Sequence, residues 1–367
     1  MSTTRPPGRD VTATRYGISR DELTVLLDGE PRYRADQVWH GLYGRLESPE
    51  EMTNVPAALR RRLAAELPVS LEPVTESISD TGDTVKFLWA LHGGAQVETV
   101  LMLYPDRATV CVSSQAGCAM ACGFCATGQA GFTRHLTTSE IVEQVVVAAR
   151  RARDGGRRVS NVVFMGMGEP LANEAPVWGA VRRLHDDIGL SARHLTISTV
   201  GIVPGIRRLA ERDLPVTLAV SLHAANDELR DELVPINRRY PLEQLLDACR
   251  DFIAANRRRI SFEWAMIDGV NDRASDAVEL AALCRRLQPA AHVNLIPLNP
   301  TPGWPTPGTP PEGVRAFRDR LVALGVNATI RANRGTDIDA ACGQLAARAM
   351  PTQSAHPVTL TTATAES

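Results

Sequence analysis

The sequence predicts an α/β fold in which a parallel sheet closes into a partial (β/α) barrel, preceded by a small N-terminal helical domain and an accessory β-hairpin. Short β-branched runs alternate with amphipathic helical periods from residue 108 to residue 331, which is typical of a barrel. Leucines recur at helical spacing between residues 19 and 67. Two alternating runs, 85–91 and 97–103, flank His-Gly-Gly and predict the hairpin.

The chain divides into five predicted segments. They are a mobile N-terminus (1–18), a helical domain (19–70), a linker with the accessory hairpin (71–106), the barrel core with a cysteine near its C-terminal end (107–348) and a disordered tail (349–367). The predicted barrel strands are 108–113, 159–165, 194–199, 215–221, 259–267, 291–298 and 326–331. The helices predicted between them are 138–153, 174–187, 203–212, 241–256, 272–287 and 311–324.

Composition excludes several classes of protein. With 367 residues, 44% of them apolar and 22% charged, the chain is long enough for a large core and is neither collagen-like nor coiled coil. No apolar run is long enough for a membrane helix, and the polar first residues carry no secretory signal, so we expect a cytoplasmic protein without membrane partners. A net charge of −2 argues against a protein that coats nucleic acid by charge alone.

Almost all basic residues are arginine. Lysine and arginine together number 40, and Lys86 is the only lysine. Such a bias is more typical of genome composition than of function, although the arginine fork suits phosphates and base edges. The helical domain, with Arg32, Arg34 and Trp39, is the predicted platform for phosphates and stacked bases if the chain binds a nucleic acid.

Four of the seven cysteines are concentrated in a 15-residue stretch. Cys118, Cys122 and Cys125 form C-x3-C-x2-C on a glycine-rich loop after the first barrel strand. Three thiolates suit zinc or iron and sulfur. A structural zinc site wants four ligands, and His135 lies outside the usual spacing, whereas three cysteines on a four-iron cluster leave one iron open. The sequence therefore favours an iron–sulfur cluster.

The motif, with Phe124 before its last cysteine, resembles that of the radical S-adenosylmethionine (SAM) superfamily. Four stretches, ATVCVSSQAGCAMACGFCATG, VVFMGMGEP, VSLHAANDELRDELVPINRRYP and GTDIDAACGQL, resemble the RlmN family of dual-specificity RNA methyltransferases, which methylate C2 of adenosine in 23S rRNA and tRNA. The resemblance implies a radical-SAM barrel, a [4Fe-4S] cluster on Cys118, Cys122 and Cys125, and two SAM molecules per turnover.

The resemblance also implies roles for two further cysteines. Carbon C2 of adenine is electron-poor and does not attack a sulfonium methyl group, whereas a carbon radical can add to it. In the family, a cysteine carries the methyl group as S-methylcysteine, its methylene radical adds to the base, and a second thiol resolves the adduct through a transient disulfide. Cys342, in DAACGQL, is similar to the methyl carrier, and Cys111 would be the resolving thiol.

Other site residues follow from the same resemblance. Glu98 aligns with the proton acceptor for C2, a step that needs a base. The predicted cofactor contacts lie at the ends of barrel strands, and Glu169 would accept from the ammonium group of SAM. They are Gly168, Glu169, Ser198, Ser221, Leu222, His223 and Asn299. Cys249 and Cys284 lie on apolar helix faces and are expected to be core residues.

Two alternatives remain open at this point. A sister family that methylates C8 of the same rRNA adenosine shares the cluster motif and both extra cysteines. An RNA-binding electron carrier would need the cluster alone, and two additional thiols argue against it. The expected partners are 23S rRNA, tRNA and an electron donor such as flavodoxin or ferredoxin, and the chain is expected to be a monomer.

Overall fold

A computed structural model describes residues 14–289, 291–301, 303–331 and Ile338. Most of the N-terminal segment 1–18, the methyl-carrier candidate Cys342 and the tail 349–367 lie outside the described residues. None of the described helices is long and apolar enough to span a membrane.

The N-terminal part is helical, as its leucine spacing predicts. It contains α1 (Arg20–Leu26), α2 (Tyr33–Trp39) and α3 (Ala57–Glu66). Ser19 begins α1 with a capping box to Glu22, which satisfies helix N–H groups that have no partner inside the helix. Leu23, Val38 and Leu63 are buried in one hydrophobic core that also contains the barrel residues up to Ala328, so the helical part packs directly on the barrel.

Two of the three residues predicted to contact RNA have structural roles instead. Trp39 is buried, its Nε1 donates to Asp187 at 2.9 Å, and the Arg183 guanidinium stacks on its ring. Arg34 is also buried and donates to the Asn54 carbonyl. Arg34 and Trp39 are therefore occupied by packing contacts, whereas Arg32 is exposed, and an RNA platform on the helical part stays a prediction.

A ten-stranded sheet forms the centre of the molecule, in the order β1-β2-β3-β4-β7-β8-β9-β10-β11-β12, and β5 and β6 form a separate pair. The strands are β1 (Leu71–Ile78), β2 (Thr84–Leu91), β3 (Gln96–Leu103), β4 (Ala108–Cys111), β5 (Gln115–Gly117), β6 (Phe132–His135), β7 (Val159–Phe164), β8 (Leu195–Thr199), β9 (Thr217–Ser221), β10 (Ser261–Met266), β11 (His292–Pro297) and β12 (Ala328–Ile330).

The seven strands from β4 and β7 to β12 pair in parallel, which confirms the predicted α/β partial barrel. Helices connect these strands: α4 (Ala126–Gln129), α5 (Thr138–Asp154), α6 (Glu174–Arg182), α7 (Val203–Ala210), α8 (Asp227–Leu233), α9 (Leu242–Asn256), α10 (Ala274–Arg285) and α11 (Pro311–Ala323). Cys249 on α9 and Cys284 on α10 are fully buried in the core, as predicted.

The accessory hairpin is an extension of the barrel sheet. Strand β1, expected within a linker, pairs antiparallel with β2, and β3 pairs antiparallel with the first barrel strand β4. Sequence periodicity missed β1 because most of its side chains are exposed, so it carries little apolar alternation. The consequence is that side chains of β2 and β3 share a sheet face with Cys111 at the end of β4.

Candidate functional site

The three-cysteine loop leaves the barrel at the carboxyl end of β4 and is held by the small sheet of β5 and β6. The Cys118 amide donates to the Gly131 carbonyl at 2.7 Å, and the Cys125 amide donates to the Cys122 carbonyl at 3.1 Å. Gly117 has a φ of +74°, and a Cβ there would lie 1.9 Å from the Gly131 carbonyl oxygen. The close approach of these two loop segments therefore requires glycine at position 117.

The contact at Gly117 predicts that alanine affects iron loading differently at two glycines of the loop. Gly117→Ala should displace Cys118 and reduce iron loading at least tenfold, because the new Cβ collides with backbone. Gly131→Ala is the matched control: Gly131 has a φ of +76° but nothing within 4 Å of its Cβ position, so it meets only backbone strain of about 1–2 kcal/mol. Iron analysis of the reconstituted proteins checks this, and equal loading of both variants would contradict it.

The thiols suit a cluster that spans several metal atoms. Cys122 is buried, and Cys118 and Cys125 are half-buried. Burial, together with the neighbouring Cys125 charge, raises the pKa of Cys118 to about 12, so bound cations would be needed to keep the thiolates ionised. Among the described residues, no three His, Cys, Asp or Glu side chains converge to hold a single metal ion. The charges of Cys118 and Cys125 both act on the Cys122 thiol, so the three soft donors lie near one another, and such donors suit iron and sulfur.

Aromatic side chains and the loop after β11 cover the cysteines. The Phe124 ring lies edge-on to His223 at 4.8 Å and to Trp304 at 6.3 Å between centroids. Gln129 Nε2 donates to the Gly123 carbonyl at 2.6 Å and to Thr301 Oγ1 at 3.1 Å, which links the two loops. Asn299, a predicted cofactor contact, is half-buried at the start of this covering loop.

Two polar atoms in this region have no hydrogen-bond partner among the described residues. They are Thr127 Oγ1, in the turn after Cys125, and Trp304 Nε1. Buried polar atoms are normally paired, so an unpaired donor and an unpaired hydroxyl beside three thiols fit a site that takes a further group.

Gly168 and Glu169 follow β7 and contact the segment that leads to the cysteines and the residue after β8. A Cβ on Gly168, whose φ is +99°, would lie 2.5 Å from the Gln115 Cβ, so this glycine allows contact with the cysteine-bearing segment. The buried Glu169 carboxylate accepts the Leu171 amide at 2.9 Å and the Val200 amide at 2.8 Å. Burial raises the pKa of Glu169 to about 7. Each oxygen already accepts one N–H group, and its second lone pair is what an ammonium group would use.

The remaining predicted cofactor contacts lie at the ends of β8 and β9. Ser198 alternates with the buried Ile197 and so lies on the face turned away from the helices, the inner face of the barrel. Ser221 ends β9, and the buried Leu222 donates its amide to the Glu263 carbonyl at 3.0 Å. Ser198, Ser221 and Leu222 therefore lie at the same edge of the sheet as the cysteine loop.

His223 is held as a neutral imidazole. Its Nδ1 accepts the Ala265 amide at 2.9 Å, which places the proton on Nε2, and its backbone has a φ of +59°. Burial lowers the pKa of His223 to about 3, so the ring is uncharged at neutral pH. A neutral Nε2–H donor beside Phe124 is thus fixed in orientation.

Arg230, which the sequence did not single out as a site residue, holds the ends of β8 and β9. It is fully buried and donates to three carbonyls, those of Val200 (2.6 Å), Ser221 (3.2 Å) and Leu222 (3.1 Å), and to Asn237 Oδ1 (2.7 Å). Burial lowers the pKa of Arg230 to about 10, and the charge that most opposes this is the Cys122 thiolate. One guanidinium therefore holds the β8 and β9 ends and lies near a predicted cluster ligand.

Cys111 lies on the inner face of the barrel, the orientation that the predicted resolving thiol would need. Its neighbours along the chain, Val110 and Val112, belong to the main core, whereas Cys111 packs with Val100 and Met102 of β3 in a separate cluster. Burial raises the pKa of Cys111, and Arg331 opposes this. Arg331 follows β12 and its Nη1 lies 3.8 Å from Met165 Sδ, so its side chain extends toward the β7 end.

Glu98 on β3 is buried rather than solvated. Its Oε2 lies 2.8 Å from Lys86 Nζ of β2, and the two side chains are 1% and 0% exposed. Sequence reasoning selected Glu98 by resemblance but did not pair it with Lys86, because register across two strands decides that contact. The signal available beforehand was that Lys86 is the only lysine.

Known proteins resemble this chain over most of its length. The radical SAM superfamily matches residues 112–281. A Salinispora tropica protein described as "Probable dual-specificity RNA methyltransferase RlmN" is 55% identical over 347 residues, covering 92% of this chain and 93% of its own. A Chloroflexus aurantiacus protein with the same description is 51% identical, covering 91% and 92%. The crystal structure of a radical SAM methyltransferase from Sphaerobacter thermophilus superposes with a TM-score of 0.86 at 51% identity, covering 90% of this chain and 98% of that one.

Proposed function

The chain belongs to the RlmN family of dual-specificity RNA methyltransferases in the radical SAM superfamily, and on this premise we propose that it methylates C2 of adenosine in two RNAs. The substrates are the peptidyl-transferase centre of 23S rRNA and the tRNA adenosine 3′ of the anticodon. The observation that carries the proposal is the pairing of a three-thiol loop with a separate thiol, Cys111, on the inner face of the strand that precedes it. The electron-carrier alternative is wrong, because the relatives are methyltransferases.

The superfamily uses SAM with a [4Fe-4S] cluster, which supplies a carbon radical when both are bound. We assign Cys118, Cys122 and Cys125 to the cluster. Gly168, Glu169, Ser198, Ser221, Leu222, His223 and Asn299 are the proposed contacts of SAM, two molecules of which are used per turnover.

The protein's own residues then act on the RNA. Cys342 carries the methyl group and adds it to C2 as a methylene group, Glu98 accepts the C2 proton, and Cys111 attacks the Cys342 sulfur to release the RNA with a transient disulfide. The target base must leave its stack to reach the inner face of the barrel. A soluble donor such as flavodoxin or ferredoxin supplies electrons to the monomeric enzyme in the cytoplasm.

Nucleoside mass spectrometry tests this function. A strain that lacks this protein should lose 2-methyladenosine from both 23S rRNA and tRNA, and the wild-type gene should restore it in both. Loss of 8-methyladenosine instead would assign the chain to the sister activity, and loss from one RNA only would contradict dual specificity.

A further inference from the structure

Lys86 is an exception in both composition and position. Every other basic residue among the 40 is arginine, and Lys86 is 0% exposed on β2. Lysine is among the residues least often fully buried. The chain has arginine even at the buried positions 34 and 230, so lysine at position 86 is not simply a consequence of burial.

The partner of Lys86 is the proposed proton acceptor. Nζ lies 2.8 Å from Glu98 Oε2. An isolated carboxylate in a dry site would take up a proton and stop being a base. The adjacent ammonium stabilises the ionised form, which is the form that can accept a proton.

The pair shares a sheet face with the proposed resolving thiol. Lys86 on β2 is the register partner of Val100 on β3, and Val100 is the register partner of Cys111 on β4. Register partners project to the same face, and Glu98 lies two residues from Val100 on that face. The charges of Glu98 and Lys86 both act on the Cys111 thiol. The ion pair therefore lies beside the proposed chemistry.

We propose that Lys86 is a positioning residue that holds the Glu98 carboxylate in place for proton transfer through a contact at one oxygen, Oε2. This inference rests on the proposed C2 methylation. In that reaction the methylene radical adds to C2, the C2–H bond breaks with its electron pair left on the ring, and the proton goes to Glu98. The remaining unpaired electron passes to a one-electron acceptor, a role that a bound iron–sulfur cluster would supply. Attack of the Cys111 thiolate on the Cys342 sulfur then breaks the bond between that sulfur and the methylene carbon, and the electron pair left on this carbon takes the proton back from Glu98 to complete the methyl group.

Lysine suits this task better than arginine for a geometric reason. An ammonium is a compact point charge, whereas the guanidinium fork binds both carboxylate oxygens side by side. Such a bidentate contact would hold both carboxylate oxygens of Glu98 at once and turn the carboxylate to face the guanidinium. Arginine at position 86 would keep the charge and still impair proton transfer.

The test compares Lys86→Arg, Lys86→Ala and the pair replacement Lys86→Met/Glu98→Met, all anaerobically reconstituted. Lys86→Arg and Lys86→Ala should form 2-methyladenosine about a hundredfold or more slowly, the usual scale of acid–base catalysis. Both should accumulate a covalent protein–RNA species on methylated Cys342. Ethylammonium should restore product formation at least tenfold in Lys86→Ala. The double variant should remain folded, because apolar replacement of a buried ion pair is often neutral for stability.

Each result decides the question. Lys86→Arg with product formation within threefold of wild type would overturn the proposal, as would a folded Lys86→Ala that ethylammonium does not rescue. If Lys86→Arg is insoluble, the ethylammonium rescue of Lys86→Ala alone decides whether the proposal holds. Arg34→Met, which removes a buried cation bound only within the helical part, is the matched control and should keep wild-type rates. Wild-type enzyme that makes no 2-methyladenosine would refute the proposed function itself, which is a separate outcome.

Discussion

Alanine in place of any one of Cys118, Cys122 or Cys125 is expected to abolish both iron loading and RNA methylation. Two remaining thiolates cannot hold a four-iron cluster that keeps one iron open for SAM. The loss should be complete rather than graded, since every later step needs the carbon radical. Iron and sulfide content, the visible absorption of the protein and the release of 5′-deoxyadenosine measure it.

Cys249→Ala and Cys284→Ala are the matched controls for this prediction. Both cysteines are fully buried in the core and lie on helices away from the cysteine loop. We expect normal iron loading with a loss of stability on the order of 1 kcal/mol. Full colour and activity in any of the three loop variants would refute the cluster assignment.

Cys111→Ala should stall the reaction after the RNA has been attached to the protein. The variant retains the three loop cysteines and Cys342, so it should load iron, methylate Cys342 and attack the base. No thiol is then left to attack the Cys342 sulfur. The expected observation is a covalent protein–RNA species that survives denaturing electrophoresis and collapses on nuclease treatment, with product formation reduced at least a thousandfold.

The matched control is again Cys284→Ala, which removes a buried thiol remote from the inner face and should accumulate no adduct. Peptide mass spectrometry should find the methyl group on Cys342 in Cys111→Ala and none in Cys342→Ala. Free methylated RNA released at the normal rate by Cys111→Ala would mean that Cys111 only packs against Val100 and Met102.

Some of the site was predictable because its information is local. The C-x3-C-x2-C spacing places three thiols on one loop whatever surrounds it, and the alternation of β-branched runs with helical periods predicts the parallel barrel. The ends of the strands were also predictable, and Glu169, Ser198 and Ser221, which the family resemblance selected, lie at or just after such ends. Local patterns fail where a side chain's role depends on a distant partner.

Trp39 and Arg34 illustrate that failure. Aromatic and basic residues on a short helix are compatible both with RNA binding and with packing, and only the contact of Trp39 with Asp187, 148 residues away, decides between them. Arg230 illustrates the converse. Nothing in DELRDEL separates its arginine from the many on solvated helix faces, yet it is fully buried and holds three carbonyls.

The barrel, the three thiols on one loop and the positions of the strand ends could be predicted from the sequence, because each depends on the spacing of residues along the chain. The family could be predicted because four stretches of the sequence resemble it. Only the tertiary structure decided that Cys111 lies on the inner face, that Lys86 and Glu98 pair beside it, and that Arg230 fixes the β8 and β9 ends. The physical reason is that these contacts depend on register between strands and on burial. Register turns a β-strand side chain to one face or the other, and burial gives a charge its partner.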